Sequence, residues 1–289
     1  MAGVQIGNLA GLGYVQFWKV DEDGYAMGQV ADPDAPGTDT TTHAYLCRHP
    51  VNFSPAAPSR ANVDFVSAGS WDGSMLLGLD SMGLSTIRMS VLDAALLALA
   101  EGSTVDTTSN SYWAQFAANL REIDLPLMGM MLSVRIQSRT SGSDGVNKWV
   151  NRCYPRIQLA VKEPEADHLA AAELEFDITH SMSDKRPSGE TLVALGLEDD
   201  RAPMYYISAD KPVGVSTYVS NGIATSFIAG YRPLSDVVAV NATPNHFCIN
   251  GTPTALDSIV PATGVATLAA AGNSGDINVL MYETGFKAI

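Results

Sequence analysis

Residues 84–102 read LSTIRMSVLDAALLALAEG, a short strand running into a short helix. Ile87 and Met89 alternate with Thr86 and Arg88, the period-two pattern of a half-buried strand. Ser90 is placed to cap a helix, with Asp93 three residues on as its capping-box partner, and Gly102 stops it. Leu92, Ala95, Leu96 and Leu99 fall at helical spacing, so Leu92, Leu96 and Leu99 are expected to pack the helix onto a sheet.

Outward from this stretch the chain is patterned for strands. Residues 172–180 (AELEFDITH) alternate most cleanly: Leu174, Phe176 and Ile178 form one face, and Glu173, Glu175 and Asp177 the other. In 126–137 (PLMGMMLSVRIQ), Leu132, Val134 and Ile136 oppose Ser133, Arg135 and Gln137. Further strands are expected at 14–20, 25–30, 45–47, 62–67 and 75–79, and two short ones in 148–161, broken at Pro155. Trp71–Gly73 reads as a turn, and 48–61, with three prolines, as irregular chain. The polar stretch 103–124 carries Tyr112 and Trp113, with a short helix expected from Trp113 to Leu120. Past residue 200 the expected strands are short: 204–208, 215–219, 223–229, 237–240 and several in 246–283, where Asn250-Gly251 signals a type I′ hairpin.

The fold class predicted is mainly β: an antiparallel β-sandwich flanked by one short α-helix, with a further small β domain. The expected division is 1–195 and 196–289, the second part Ig-like. The chain has 289 residues, 46% hydrophobic and 17% charged, enough to bury a core. Its net charge of −14 disfavours tight binding to a phosphate backbone. Cys47, Cys153 and Cys248 match no disulfide framework and are expected to be reduced and buried. The opening MAGVQIGNLAGLGYV lacks the basic and apolar regions of a signal peptide, and no apolar run is long enough to span a bilayer. Assembly in a cytoplasm is therefore expected.

No motif carries a reaction. G-x-S-x-G, the phosphate-binding P-loop and a dinucleotide fingerprint are all absent. His43, Cys47 and His49 could supply three metal ligands but lack a fourth nearby, and His168, His180 and His246 read as isolated. Glu173, Glu175 and Asp177 stand about 7 Å apart on one strand, a solvated row rather than a pair flanking a cleft. The sequons at Asn241 and Asn250 read as turn residues. The expectation is a protein that is not an enzyme, with no cofactor and no metal.

From residue 62 to 180 the element order resembles the tail tube proteins of long-tailed bacteriophages. The NVDF strand comes first, then the strand leading into VLDAALLALAEG, the Tyr112-Trp113 loop and PLMGMML. The tip SGSDGVNKW and AELEFDI follow. The resemblance implies a structural virion protein that closes into rings, hexameric in the family, and stacks them into a hollow tube with an acidic lumen for passing DNA. It implies as partners the chain itself, a tape measure, a tail terminator and an initiator complex, and as location the virion tail. On this reading Glu173, Glu175 and Asp177 are the candidate lumen-facing row. Ser138, Ser141, Asp144 and Asn147 mark a candidate inter-ring loop, residues 31–61 a second, and residues 1–13 an arm. Residues 196–289 exceed a minimal tube protein. Projecting outward, they would argue for a non-contractile tail. Other readings are a capsid decoration or tail terminator protein, a carbohydrate-binding or adhesion module using Trp71 or Tyr205-Tyr206, and a hydrolase using the carboxylates.

Overall fold

The computed structural model describes residues 8–21, 26–27, 29–30, 44–47, 50–55, 58–67, 70–82, 84–89, 96–97, 100, 126–137, 147–162, 173–181, 183–191, 204–240 and 245–286. The chain is mainly β, built from several antiparallel sheets. The first half supplies β1 (Asn8–Lys19), β2 (Gln29–Val30), β3 (Ala44–Cys47), β4 (Pro50–Ser54), β5 (Pro58–Ser67), β6 (Ser70–Met82) and β7 (Ser85–Met89). Then come β8 (Met128–Gln137), β9 (Asn147–Lys162), β10 (Leu174–His180), β11 (Tyr205–Ala209) and β12 (Val213–Val219). The remainder are β13 (Ser226–Ile228), β14 (Asn245–Ile249), β15 (Thr252–Pro253), β16 (Ser258–Val260), β17 (Val265–Thr267) and β18 (Ile277–Glu283).

The largest sheet runs β3-β1-β8-β9-β10-β7-β4, with β11 also paired on β9. A second runs β15-β14-β18-β12-β2 and a third β13-β17-β16. These three sheets stack as layers. One face of the first sheet buries Val15, Phe17, Met130, Leu132, Ile87 and Phe176, together with Leu96 and Ala100. Its other face buries Trp18, Met131 and Cys153 against Val213, Val215, Val279 and Met281 of the second sheet. The far face of the second sheet packs Tyr218, Phe247, Leu280 and Tyr282 onto Phe227, Ile259 and Ala266 of the third. Strands in a middle layer are apolar on both faces. That is why β18 reads INVLMYE and the start of β8 reads MGMMLSV.

The expected helix is described at three positions. Leu96, Leu97 and Ala100 are helical, with Leu96 and Ala100 buried on the first sheet. Leu92 and Leu99 lie outside the described residues, as do Tyr112, Trp113 and the expected helix 113–120. The predicted alternation holds in β7 and β10, where Ile87, Met89, Leu174, Phe176 and Ile178 are all buried. All three cysteines are buried, and none is in a disulfide.

Several expectations are corrected. Residues 8–13 are not an arm: they are the start of β1, paired with β8 from Asn8↔Gln137 onward, while residues 1–7 lie outside the described set. The strand expected at 25–30 does not pair with β1 beyond the Val20↔Ala26 bridge. Instead β2 pairs in parallel with β12. Segment 48–61 carries β4 and the start of β5, each opening on a proline, the position where a strand tolerates one. Trp71–Gly73 is strand within β6, not turn. Residues 148–161 form one strand, β9, since the chain absorbs Pro155 as a bulge. Met128 pairs with Ile157 but Met130 with Tyr154. That extra residue switches the faces, so Cys153 points to one core and both Tyr154 and Ile157 to the other. Residues 237–240 form no strand, and Val237 and Val240 are exposed.

The two halves interlock across the boundary expected near residue 196, which itself lies outside the described residues. β11 joins the first sheet and β2 joins the second. Two buried amides fasten the layers. The Gln16 Nε2 donates to the Val215 carbonyl at 3.0 Å, and the Val215 N–H donates to Gln16 Oε1 at 3.1 Å. Asn151 Oδ1 accepts from Ser133 Oγ at 2.6 Å and from the Val213 N–H at 3.2 Å. Residues 204–286 therefore share sheets and a buried core with the first half of the chain.

Candidate functional site

β5 and β6 form a ribbon of 10 and 13 residues that pairs with no other strand among the described residues. At strand rise it is about 40 Å long. Its register shifts three times, between Ser59 and Arg60, Arg60 and Asn62, and Phe65 and Val66. Each irregularity adds local twist. Both outer edges carry unpaired backbone groups toward any other described strand, the standard template for pairing with another chain. A two-stranded ribbon by itself is marginal in water, and among the described residues no third strand extends this one.

The acidic row sits on the solvent side of β10, but it is not bare. Glu175 lies opposite both Arg88 and Lys162 in the ladder. Its Oε2 meets Arg88 Nε at 2.7 Å and its Oε1 meets Lys162 Nζ at 2.7 Å. Lys162 also reaches Asp177 Oδ1 at 2.9 Å. Hydrogen bonds from Lys162 and Arg88 lower the Glu175 carboxyl below its ordinary pKa. Glu173 is exposed at the strand's edge. The face is thus close to charge-balanced, with two cations threaded among three acids.

Of the candidate inter-ring loop, Ser138, Ser141 and Asp144 lie outside the described residues, and Asn147 opens β9 opposite Gln137. Much of 31–61 lies outside them as well, and its described parts are β3, β4 and the start of β5. His43, His49 and His168 lie outside, and Cys47 points into the main core. The aromatic platform does not form at Tyr205-Tyr206. Strand alternation buries Tyr205 and exposes Tyr206, over whose ring the Arg152 guanidinium sits at 5.8 Å. No helix among the described residues is long and apolar enough to cross a membrane.

One cluster escaped the reading of the sequence. His246 is not isolated. On β14, Phe247 turns into the core while His246 and Cys248 share the other face. The segment 183–191 buries Ser183 and Ser188 and brings Glu190 to that face. Glu190 Oε2 lies 2.7 Å from His246 Nε2, which lies 3.3 Å from Cys248 Sγ. Ser188 Oγ donates to Glu190 Oε2 at 2.8 Å, and Arg186 Nη1 stands 3.6 Å away. Burial raises the Glu190 carboxyl. Hydrogen bonds from His246 and Ser188 and the nearby charges outweigh this and bring it to about 2. Burial and the Glu190 charge push the Cys248 thiol up to about 12. The only signal in the sequence was the H-x-C spacing of one strand face, with its third member 56 residues upstream.

No protein-family model matches this chain, and no curated protein matches it.

Proposed function

We propose that this chain is a structural virion protein that assembles with itself, as stacked rings, into the tail tube of a long-tailed bacteriophage. The observation that carries the reading is the β5–β6 ribbon. A hairpin of this length, self-paired and marginal alone, is suited to lie against a neighbouring copy. The element order from residue 62 to 180 supports the same reading. So does the mainly β core, since joining sheets around a ring removes open strand edges. The net charge of −14 suits a conduit to which DNA does not adhere. The Arg88–Glu175–Lys162–Asp177 face serves here as a paired, non-adhesive surface rather than as the source of lumen acidity. The partners under this reading are other copies, a tape measure, a terminator and an initiator complex, and the location is the virion tail. The protein has no catalytic role in it.

The test is electron microscopy of the purified chain at high concentration, beside sizing chromatography. Rings or hollow tubes are expected. Replacing 58–82 by a short Gly/Ser linker should leave a folded particle that no longer stacks. A particle that stays monomeric even when mixed with the other proteins of a phage tail overturns the proposal.

A further inference from the structure

The geometry points to a mononuclear transition-metal site, zinc by its donor set, formed by Glu190, His246 and Cys248. The three ligand atoms, Oε of Glu190, Nε2 of His246 and Sγ of Cys248, all lie within 4.8 Å of one another. They converge from two elements whose placement is fixed by backbone. The type I′ turn at Asn250-Gly251 has φ of 47° and 76°, and it presses on the 183–191 segment. A Cβ added at Gly251 would stand 2.7 Å from the Gly189 carbonyl carbon.

The three groups already share one hydrogen-bonded centre: His246 Nε2 lies against both Glu190 Oε2 and Cys248 Sγ, and the Cys248 thiol also contacts Ser188 and Glu190. A carboxylate, an imidazole and a thiol so gathered offer one divalent ion an oxygen, a nitrogen and a sulfur ligand at once. The binding step is balanced: the thiol proton leaves to solvent, the imidazole carries its one proton on Nδ1 instead of Nε2, and the metal forms one bond each to sulfur, nitrogen and oxygen.

Two of the three ligand separations stand close to those of a tetrahedral centre, and the third, between sulfur and oxygen, is within 4.8 Å. Metal bonds of about 2.3 Å to sulfur and about 2.0 Å to nitrogen and oxygen set ligand separations of about 3.5 Å for S···N and about 3.3 Å for N···O. The observed contacts are 3.3 Å and 2.7 Å, so side-chain rotation of well under an ångström opens the site. Ser188 already orients the carboxylate, the outer-shell hydrogen bond that metal sites depend on. A sulfur–nitrogen–oxygen set selects zinc over magnesium or calcium. Cys248 is fully buried while His246 and Glu190 reach partial solvent, so the fourth position is left to water on the exposed side. Bound metal would staple the 183–191 segment to β14, and the site stands independently of the assembly proposal.

The test is titration of the full chain with cobalt(II) alone, followed by zinc(II). One equivalent of cobalt should give the strong visible bands of a four-coordinate ion and a thiolate charge-transfer band. Zinc should bleach both. Cys248→Ser should abolish the charge-transfer band, and Glu190→Gln, isosteric and able to keep a Ser188 contact, should weaken binding at least tenfold. Wild-type protein should melt at higher temperature with zinc, and Glu190→Gln should not. If Cys248→Ser fails to fold, the Glu190→Gln comparison decides alone. Binding absent from the wild type, or unchanged in Glu190→Gln, overturns the proposal.

Discussion

Replacing Gln16 by Met tests whether the two halves of the chain share one core. Gln16 is buried on the first sheet, and its amide is the observed partner of both the N–H and the carbonyl of Val215 on β12. The side of β12 facing Gln16 is otherwise served by β2, which reaches only Tyr218 and Val219. Met fills nearly the same volume but offers neither donor nor acceptor at the amide position. Two buried backbone groups then lose their partners, at about 1–3 kcal/mol each. Apolar burial of the thioether returns about 1 kcal/mol. The net loss is about 1–5 kcal/mol, a large part of the roughly 5–15 kcal/mol that holds a domain folded. Urea unfolding at dilute concentration, followed by tryptophan fluorescence and far-UV dichroism, reads this directly. The shared core predicts one transition by both probes, with the Gln16→Met midpoint lowered by about 1 M at an unchanged slope. Two separate transitions, or a shift worth under about 0.5 kcal/mol, would refute the reasoning.

Gly129→Ala should evict the Trp18 indole, because a Cβ at 129 would collide with that ring. The cost expected is about 1–3 kcal/mol, with a red-shifted tryptophan emission, and unchanged emission would contradict it. Glu175→Lys should place a third cation between Arg88 and Lys162 and lower the unfolding midpoint, with partial recovery in high salt. Reversal of the acidic row is therefore not silent for the fold, and equal midpoints at low salt would show the pairing to be inconsequential. His180 is half-buried, its ring 5.0 Å from that of Tyr154, and burial lowers its pKa. Above about pH 6.5 neither state is protonated there. As pH falls below that value, the unfolded chain takes a proton that the native site resists, so stability declines. The stability difference between the wild type and His180→Asn should shrink as pH falls from 7.5 to 5.5, and a constant gap would rule this out.

Local signals in the sequence located what is local in the structure. Alternation placed β7 and β10 because one face of each meets a single core, and Asn250-Gly251 marked its turn because both residues need positive φ. Long-range packing was invisible. Gln16 reads as an outward residue between Val15 and Phe17, yet the second sheet, some two hundred residues downstream, covers it. Residues 8–13 look like a flexible glycine-rich arm, but the glycines sit where β1 shifts register on β8, and Gly13 leaves room for the Trp149 ring. Pro155 looks like a break and is a bulge, because β8 and β10 supply partners on both sides of it. His246 and Cys248 gained meaning only when the 183–191 segment delivered Glu190.

The separation of local from distant pairing has a consequence for assembly. The β5–β6 ribbon is closed by neighbours in sequence and forms on the timescale of a hairpin. The layered core closes late, since β2 must wait for β12 and β1 for the second sheet. A nascent chain therefore carries a ribbon whose edges pair with no other described strand before it has a finished body, the state in which edge pairing leads to aggregation. The three register shifts answer that hazard: a ribbon twisted at several points does not template a flat, indiscriminate partner. Under the proposed self-assembly, the twisted ribbon would fit a finished copy of the chain better than an unfinished one, and association would follow closure of the core.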